Sequence, residues 1–161
     1  IDDDKMVGIV SKADFVTLAI DGEYDNVCTK DIMSKDVTSV SPSERLVHAR
    51  RVIIDAKVRR LPVIDDEDLV GMITSKDLMR AFIDFRKKVP EKYQKSQIKE
   101  LLVEDIMSSN PTSVTKDMSI TEVSQIIMET GFNGLPVVED DEVVGIITQT
   151  DILRLIEKLE S

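Results

Sequence analysis

One segment of the sequence is written twice, and this repetition constrains the fold more than any other feature. Residues 31–80 align with residues 105–154 without a gap, at an offset of 74 (105 − 31), and 18 of the 50 positions are identical. A partial third copy opens the chain, because residues 1–20 align with residues 64–83 at an offset of 63 (64 − 1). Duplication explains these identities better than chance, so we expect one structural unit twice in full and once in part.

Each full copy predicts the element order strand, helix, strand, strand, helix. In the first copy a helix is predicted over residues 46–57, because its apolar residues fall on one helical face. Two strands are predicted over residues 61–65 and 69–74, on either side of an acidic hairpin turn, with a second helix over residues 76–85. One such unit is too small to cover both faces of its sheet. The two copies are therefore expected to pack together in an α/β fold of the α+β type.

The remaining segments complete this plan. The partial copy predicts a strand over residues 7–10 and a helix over residues 12–20, and a short lead-in helix is predicted over residues 98–107. In the second copy the first helix is expected to end at Gly131, a C-capping signal. The chain then divides into the C-terminal half of a preceding unit (1–20), repeat A (27–85), a linker with the lead-in helix (86–104) and repeat B (105–159). We interpret it as a fragment of a protein with more than two such units.

The composition argues against several classes of function. The chain has 31 acidic and 21 basic residues, and its net charge of −10 argues against a nucleic-acid surface. No apolar run approaches the ~20 residues that span a bilayer, so no membrane partner is expected. With one cysteine (Cys28) and one histidine (His48), neither a disulfide nor a Cys/His metal cluster is expected, which suits a reducing cytoplasm. No catalytic constellation is recognisable, so we expect no enzyme, no catalytic residue and no metal site.

Four short motifs occur in the same order in both copies. In repeat A they are Asp31-Ile32-Met33, Thr38-Ser39-Val40, Leu61-Pro62-Val63 and Val70-Gly71-Met72-Ile73-Thr74-Ser75-Lys76-Asp77. This series resembles the CBS (cystathionine-β-synthase) domain. The resemblance implies two β-α-β-β-α units related by a pseudo-twofold axis, a Bateman module, and a homodimer formed through their helices.

The resemblance also implies a function. Clefts between paired CBS units would bind an adenosine-containing ligand, and the module would regulate another protein without catalysis. AMP, ADP or ATP is the first expectation, and S-adenosylmethionine, methylthioadenosine or NAD is the alternative; no cofactor is required. The competing interpretation is a structural scaffold that pairs chains and binds no ligand.

Thr74 and Asp77, with their counterparts Thr148 and Asp151, admit two interpretations. A Thr three residues before an acid at a helix start forms a capping box, which needs no ligand. In favour of a ligand, Gly71 and its counterpart leave room for something to approach the strand, and the helix N-terminus suits a phosphate. The resemblance assigns the Asp to the two ribose hydroxyls and the Thr to ribose or phosphate.

The two copies differ just before the Leu-Pro-Val strand. Repeat A has Arg59 and Arg60, whose guanidinium groups suit phosphate oxygens, whereas repeat B has Asn133 and Gly134. The resemblance places basic residues here at the phosphates. The Thr74/Asp77 cleft is therefore expected to prefer a phosphorylated nucleotide, and the other cleft to demand phosphate less or to be empty. The alternative is a solvated basic pair at the end of a helix.

The resemblance further predicts which residues flank the adenine. They lie near the first strand and the Leu-Pro-Val strand: Ser39, Val40, Pro62 and Val63 in repeat A, and Ser113, Val114, Pro136 and Val137 in repeat B. A position after the first strand that is often Thr in ligand-binding members is Ser119 in repeat B, which fits. In repeat A it is Arg45, which does not. For the apolar members an ordinary core position is an equal alternative.

Overall fold

The computed structural model describes residues 5–22 and 24–159, and in these it has seven helices and six strands. In chain order they are α1 (Lys12–Asp21), α2 (Thr29–Ile32), α3 (Leu46–Asp55), β1 (Arg60–Asp65), β2 (Asp68–Thr74), α4 (Ser75–Lys88), α5 (Glu91–Gln97), β3 (Ser108–Ser109), β4 (Val114–Thr115), α6 (Ile120–Thr130), β5 (Gly134–Glu139), β6 (Glu142–Thr148) and α7 (Gln149–Leu159). The mixed α/β class predicted from the repeats is confirmed. The elements belong to two compact units, and neither unit is continuous in sequence.

Unit 2 contains residues 36–112 and 140–143 and holds most of repeat A. Strands β1 and β2 form an antiparallel hairpin whose turn residues, Asp66 and Glu67, both have positive φ, as hairpins with two-residue turns require. Helices α3 and α4 pack on this hairpin. The core of this unit consists of Val40, Leu46, Ala49, Ile53, Leu61, Val63, Ile73, Leu78, Ala81 and Val103.

Unit 1 contains the described parts of residues 1–35, 113–139 and 144–161. It holds β4, α6, β5, most of β6, and α7 from repeat B, and β4 pairs in parallel with β5. Helix α6 ends where predicted, because Gly131 takes the left-handed conformation with φ 67. Helix α1, from the partial copy, packs on α6 and α7 and completes the core through Val16 and Ala19, which are fully buried.

Each unit also contains the first residues of the other repeat. In unit 1, Ser34 exchanges two backbone hydrogen bonds of 2.9 Å with Ile146. In unit 2, β3 pairs with β2 at Gly71 and Met72. A Cβ added to Gly71 would lie 2.6 Å from the Sδ of Met107, and one on Gly145 would lie 2.6 Å from the Sδ of Met33. The group that approaches these strands is therefore a methionine, so the glycines are explained by packing and no longer argue for a ligand.

The strand predicted over residues 7–10 is wrong. Residues 6–11 form no regular element, and Ile9 and Val10 are 89% and 71% exposed. The corresponding strand of repeat A, β2, is held by its pairing with β1. Similarity to the sequence of β2 does not make a strand by itself, because the backbone groups need a neighbouring strand to bond.

The lead-in helix predicted over residues 98–107 is also wrong, and α5 lies earlier, in the segment predicted to be a linker. The N–H groups of Val103 and Glu104 donate to the carbonyls of Glu44 and Pro42, at 2.9 and 3.0 Å. The N–H of Leu102 donates to the carboxylate of Asp105 at 3.0 Å. These donors are engaged by a distant loop and a side chain, so the segment forms turns instead of a helix.

Three further features concern function. Within the described parts of the chain, no helix is both long enough and apolar enough to cross a membrane. No group of three or more His, Cys, Asp or Glu residues in these parts could hold a metal ion. Cys28 is a free thiol.

Candidate functional site

Thr74 and Asp77 meet where β2 ends and α4 begins. Thr74 has extended backbone angles (φ −118, ψ 163) and is the N-cap of α4. Its hydroxyl accepts from the backbone N–H of Asp77 at 3.3 Å, and its own N–H and hydroxyl both donate to Asp77 Oδ2, at 2.9 and 2.5 Å. This is the capping box that the spacing predicts. It holds the carboxylate at the positive end of the helix dipole.

Thr148 and Asp151 repeat the arrangement where β6 meets α7. The N–H and hydroxyl of Thr148 donate to Asp151 Oδ2 at 2.9 and 2.6 Å. Asp151 is more enclosed than Asp77: it is 9% exposed, whereas Asp77 is half-buried. The Oδ1 of Asp151 lies 3.8 Å from Arg154 Nη1, too far for a hydrogen bond.

In both boxes the cap uses a single carboxylate oxygen. Among the described residues, none donates a hydrogen bond to Oδ1 of Asp77 or of Asp151. A carboxylate oxygen accepts up to two hydrogen bonds, so each box retains acceptor capacity after capping its helix. The capping interpretation and the ligand interpretation are therefore compatible.

Arg59 and Arg60 lie beside the Thr74/Asp77 box. The carbonyl of Arg59 accepts from the N–H of Ser75 at 3.0 Å and from its hydroxyl at 3.3 Å, and Arg60 stands directly opposite Thr74 in the β1–β2 ladder. The Arg59 side chain is exposed, while Arg60 is half-buried. Burial lowers the pKa of Arg60, and the neighbouring charge of Arg59 lowers it further. The fold thus places the backbone of both arginines where a helix begins.

Asn133 and Gly134 occupy the same backbone frame in unit 1. The carbonyl of Asn133 accepts from the N–H of Gln149, the first residue of α7, at 3.1 Å. Gly134 is buried, and a Cβ on it would lie 2.7 Å from the carbonyl oxygen of Ile147. The backbone arrangement beside the second box is the same, but the two basic side chains are missing.

The predicted adenine-flanking residues lie near the boxes, and most of them are buried. Val40 and Val63 pair in parallel in unit 2, as do Val114 and Val137 in unit 1, and all four are 3% exposed or less. Pro62 and Pro136 are also buried, whereas Ser113 is half-buried and Ser39 exposed. The valine side chains belong to the cores, so a ligand would meet the backbone at these positions.

Ser119 serves as the N-cap of α6. Its N–H and hydroxyl donate to Glu122 Oε2 at 2.9 and 2.8 Å, and its hydroxyl accepts from the N–H of Glu122 at 3.2 Å. These hydrogen bonds form a capping box without a ligand, and a ligand would have to compete with Glu122 for the hydroxyl. At the equivalent position, Arg45 is the N-cap of α3 and makes no side-chain cap.

One polar contact beside the second box was not predicted. Lys12, the first residue of α1, donates from Nζ to Thr150 Oγ1 at 2.7 Å. Thr150 is the second residue of α7, between Thr148 and Asp151. The two residues are 138 positions apart, so no local sequence signal could have joined them.

The two boxes match a known family pattern. The family model described as CBS domain matches residues 29–84 and 103–158. The chain belongs to the CBS domain family. Both boxes lie inside the matched ranges, each at the end of the CBS hairpin.

Three CBS proteins show the extent of the similarity. Uncharacterised protein MJ1225 of Methanocaldococcus jannaschii is 26% identical over 155 residues, which cover 95% of this chain and 55% of MJ1225. Its crystal structure matches this chain with a TM-score of 0.79, at 25% identity and 96% coverage of this chain, against 56% of its own length. The chain therefore spans about half the length of this relative.

Two CBS-pair structures contain adenosine compounds. CBSX2, from Arabidopsis thaliana, was crystallised in complex with AMP; it matches with a TM-score of 0.69 and 29% identity, over 83% of this chain and 98% of that one. The CBS domain pair of protein MJ0100 was crystallised with 5′-methylthioadenosine and S-adenosyl-L-methionine. It matches with a TM-score of 0.68 and 30% identity, over 81% of this chain and 99% of that one.

Proposed function

We propose that this chain is a non-catalytic regulatory module that binds an adenosine-containing ligand at the boxes Thr74/Asp77 and Thr148/Asp151. The observation that carries the proposal is the remaining acceptor capacity of Oδ1 in each carboxylate, since none of the described residues donates a hydrogen bond to it. A ribose presents two adjacent hydroxyl donors, which suit such an acceptor. The ligands in CBSX2 and MJ0100 support this choice, because AMP, methylthioadenosine and S-adenosylmethionine share adenosine.

We further propose AMP, ADP or ATP as the ligand of the Thr74/Asp77 site. Arg59 and Arg60 lie at the start of α4, and a guanidinium group binds phosphate oxygens through two parallel hydrogen bonds. A phosphate there would also meet the first turn of the helix, in which the N–H groups of Ser75 and Asp77 are already engaged and the others face outward from the cap. Asn133 and Gly134 supply no charge at the Thr148/Asp151 site. Judged by these two residues, that site depends less on a ligand phosphate.

A melting experiment tests the ligand. The protein is melted with AMP, ADP, ATP, S-adenosylmethionine, methylthioadenosine or NAD, and the shift is compared with that of Asp77→Ala and Asp151→Ala. A ligand that binds only the folded state stabilises it by about 2.7 kcal/mol at a hundredfold excess over Kd. We expect AMP to raise the melting temperature and each substitution to remove the shift contributed by its own site.

A matched control separates binding from capping. Glu122→Ala removes the capping-box carboxylate of α6, which contacts Ser119 in unit 1 and lies outside the Thr74/Asp77 site, and each lost cap costs about 0.5–2 kcal/mol without ligand. This variant should melt earlier yet keep the ligand-induced shift contributed by the Thr74/Asp77 site. If no ligand shifts the parent protein, the ligand proposal fails and the scaffold function remains.

The scaffold function, as a homodimer, is supported by a groove on unit 2. Helices α3 and α4 line a cavity of about 380 Å³ in which Ile54, Met79 and Ile83 are 57%, 64% and 47% exposed. On unit 1 the corresponding pair, α6 and α7, is covered by α1, itself a copy of the second CBS helix. We propose that a second copy of the chain covers the groove with its own helices, because exposed apolar surface of this kind favours association.

Sedimentation tests the dimer. The parent protein should sediment as a dimer, and Met79→Glu, which places a charge at the most exposed of the three apolar positions, should shift it to a monomer. Lys87→Glu changes the charge of the same helix outside the residues that line the groove and is the matched control. A parent protein that is monomeric at high concentration contradicts the proposal.

A further inference from the structure

We propose that Lys12 supplies a cation to the Thr148/Asp151 site, so that this site also selects a phosphorylated adenosine ligand. The inference rests on the proposed function and assigns that site a further specificity-determining residue. The Nζ of Lys12 lies 2.7 Å from Thr150 Oγ1, in the first turn of α7. That turn holds the capping carboxylate, and its N–H groups other than that of Gln149, which bonds Asn133, would face a ligand phosphate.

The position of Lys12 is fixed by packing and not by the lysine itself. One and two turns further along α1, Val16 and Ala19 are fully buried in the same core as Ile127 of α6 and Ile152 of α7. This interface anchors the helix on unit 1. Its first residue therefore stays beside the start of α7 even if the lysine is replaced.

This arrangement leaves an ammonium group available to an anion. The contact of Lys12 with Thr150 shows that this ammonium group lies at the first turn of α7, where the positive end of the helix dipole is. The carboxylates of both first turns are engaged in their own boxes: Asp14 Oδ2 with Ser11, and Asp151 Oδ2 with Thr148. Within residues 5–22 and 24–159 no carboxylate lies within 4.0 Å of Lys12 Nζ, and its partner is a neutral hydroxyl.

The Thr74/Asp77 site also has a lysine near the start of its helix, but from a different part of the chain. Residue 150 corresponds to residue 76 (150 − 74), and in repeat A that residue is Lys76, an exposed residue of the first turn of α4. Repeat B has Thr150 at this position and receives its lysine from α1. Both second helices therefore begin beside an ammonium group, although Asn133 and Gly134 replace the two arginines.

Paired titrations test the role of Lys12. In an Asp77→Ala background, which isolates the Thr148/Asp151 site, AMP and adenosine are titrated by calorimetry into proteins with Lys12, Lys12→Gln or Lys12→Arg. We expect Lys12→Gln to weaken AMP about tenfold, the loss of one charge-assisted hydrogen bond, and to leave adenosine unchanged. Lys12→Arg should retain the preference for AMP. Lys158→Gln, at the far end of α7, removes the same charge and should change neither affinity.

Each other outcome has a definite meaning. Equal weakening of AMP and adenosine, or no change in either, overturns the role of Lys12 while leaving ligand binding intact. An Asp77→Ala protein that binds neither compound refutes the proposed function at this site. The melting temperature without ligand should be the same for Lys12 and Lys12→Gln. A marked fall there, together with lost adenosine binding, would assign Lys12 a structural role and overturn the proposal.

Discussion

The two Thr–Asp boxes share a backbone frame and differ in the side chains around it. In both, the residue just before the hairpin accepts a hydrogen bond from the first helical N–H with its carbonyl: Arg59 from Ser75 at 3.0 Å and Asn133 from Gln149 at 3.1 Å. In both, a Thr and an Asp close the same cap. After duplication the backbone hydrogen bonds remained, because a buried polar group without a partner is costly, while exposed charges were free to change.

The contrast between Arg60 and Gly134 is more than a change of charge. In unit 2 the position tolerates the longest basic side chain opposite Thr74. In unit 1 even a methyl group at residue 134 would lie 2.7 Å from the Ile147 carbonyl oxygen and 2.9 Å from Thr148 Cγ2. Atoms of Ile147 and Thr148 therefore occupy the space that a side chain at residue 134 would need. The lack of an arginine beside the second box is therefore fixed by packing, and a cation has to come from elsewhere in the chain.

Gly134→Ala tests the packing around residue 134 and should have the largest effect on stability. The added Cβ meets backbone atoms, which cannot rotate away, so we expect a loss of about 1–3 kcal/mol in the free energy of unfolding, as for other overpacked sites. Urea denaturation measures it. Gly8→Ala is the matched control, because no atom lies within 4 Å of its added Cβ. Equal urea midpoints for the two variants would contradict the close contact of residue 134 with Ile147 and Thr148.

The sequence predicted the local features of these sites and missed the nonlocal ones. The boxes, the hairpin turns and the end of α6 at Gly131 depend on residues one to four positions apart, so spacing alone indicates them. The approach of Met33 to Gly145 and of Lys12 to Thr150 joins segments that no local pattern relates. The valines of the Leu-Pro-Val strands fit a core and a binding site equally well, and burial shows that their side chains belong to the core.

Arg45→Ser tests the difference between the N-termini of α3 and α6 and should have an intermediate effect on stability. Ser119 caps α6 with its hydroxyl, whereas Arg45 starts α3 with no side-chain cap and places a cation at the positive end of the helix. A serine there should add the missing cap and raise the free energy of unfolding by about 1 kcal/mol. Urea denaturation of Arg45→Ala separates the effect of the charge from the effect of the cap, because alanine removes the charge without adding a cap. If both variants are equally stable, no cap has formed.

Glu122→Gln should have the smallest effect, and only at acid pH. The backbone N–H of Ser119, and then its hydroxyl, hold the pKa of Glu122 below its ordinary value of 4.5. A carboxyl whose pKa is lowered by folding contributes stability above its unfolded pKa and loses it as the pH falls through the folded value. Glutamine keeps an acceptor for the Ser119 N–H but does not titrate. The variant should therefore lose less stability than the parent protein below about pH 4.5.

The loss of stability at acid pH also differs between the two units. His48 stands in repeat A where Glu122 stands in repeat B (122 − 74 = 48), so this part of the acid sensitivity belongs to unit 1 alone. Urea midpoints between pH 7 and pH 3 measure it. Glu129→Gln, on the same helix but outside the capping box, should follow the parent protein over that range. Parallel curves for the parent protein and Glu122→Gln would mean that the Ser119–Glu122 box does not form in solution, and the difference between the N-termini of α6 and α3 would then reduce to the charge of Arg45.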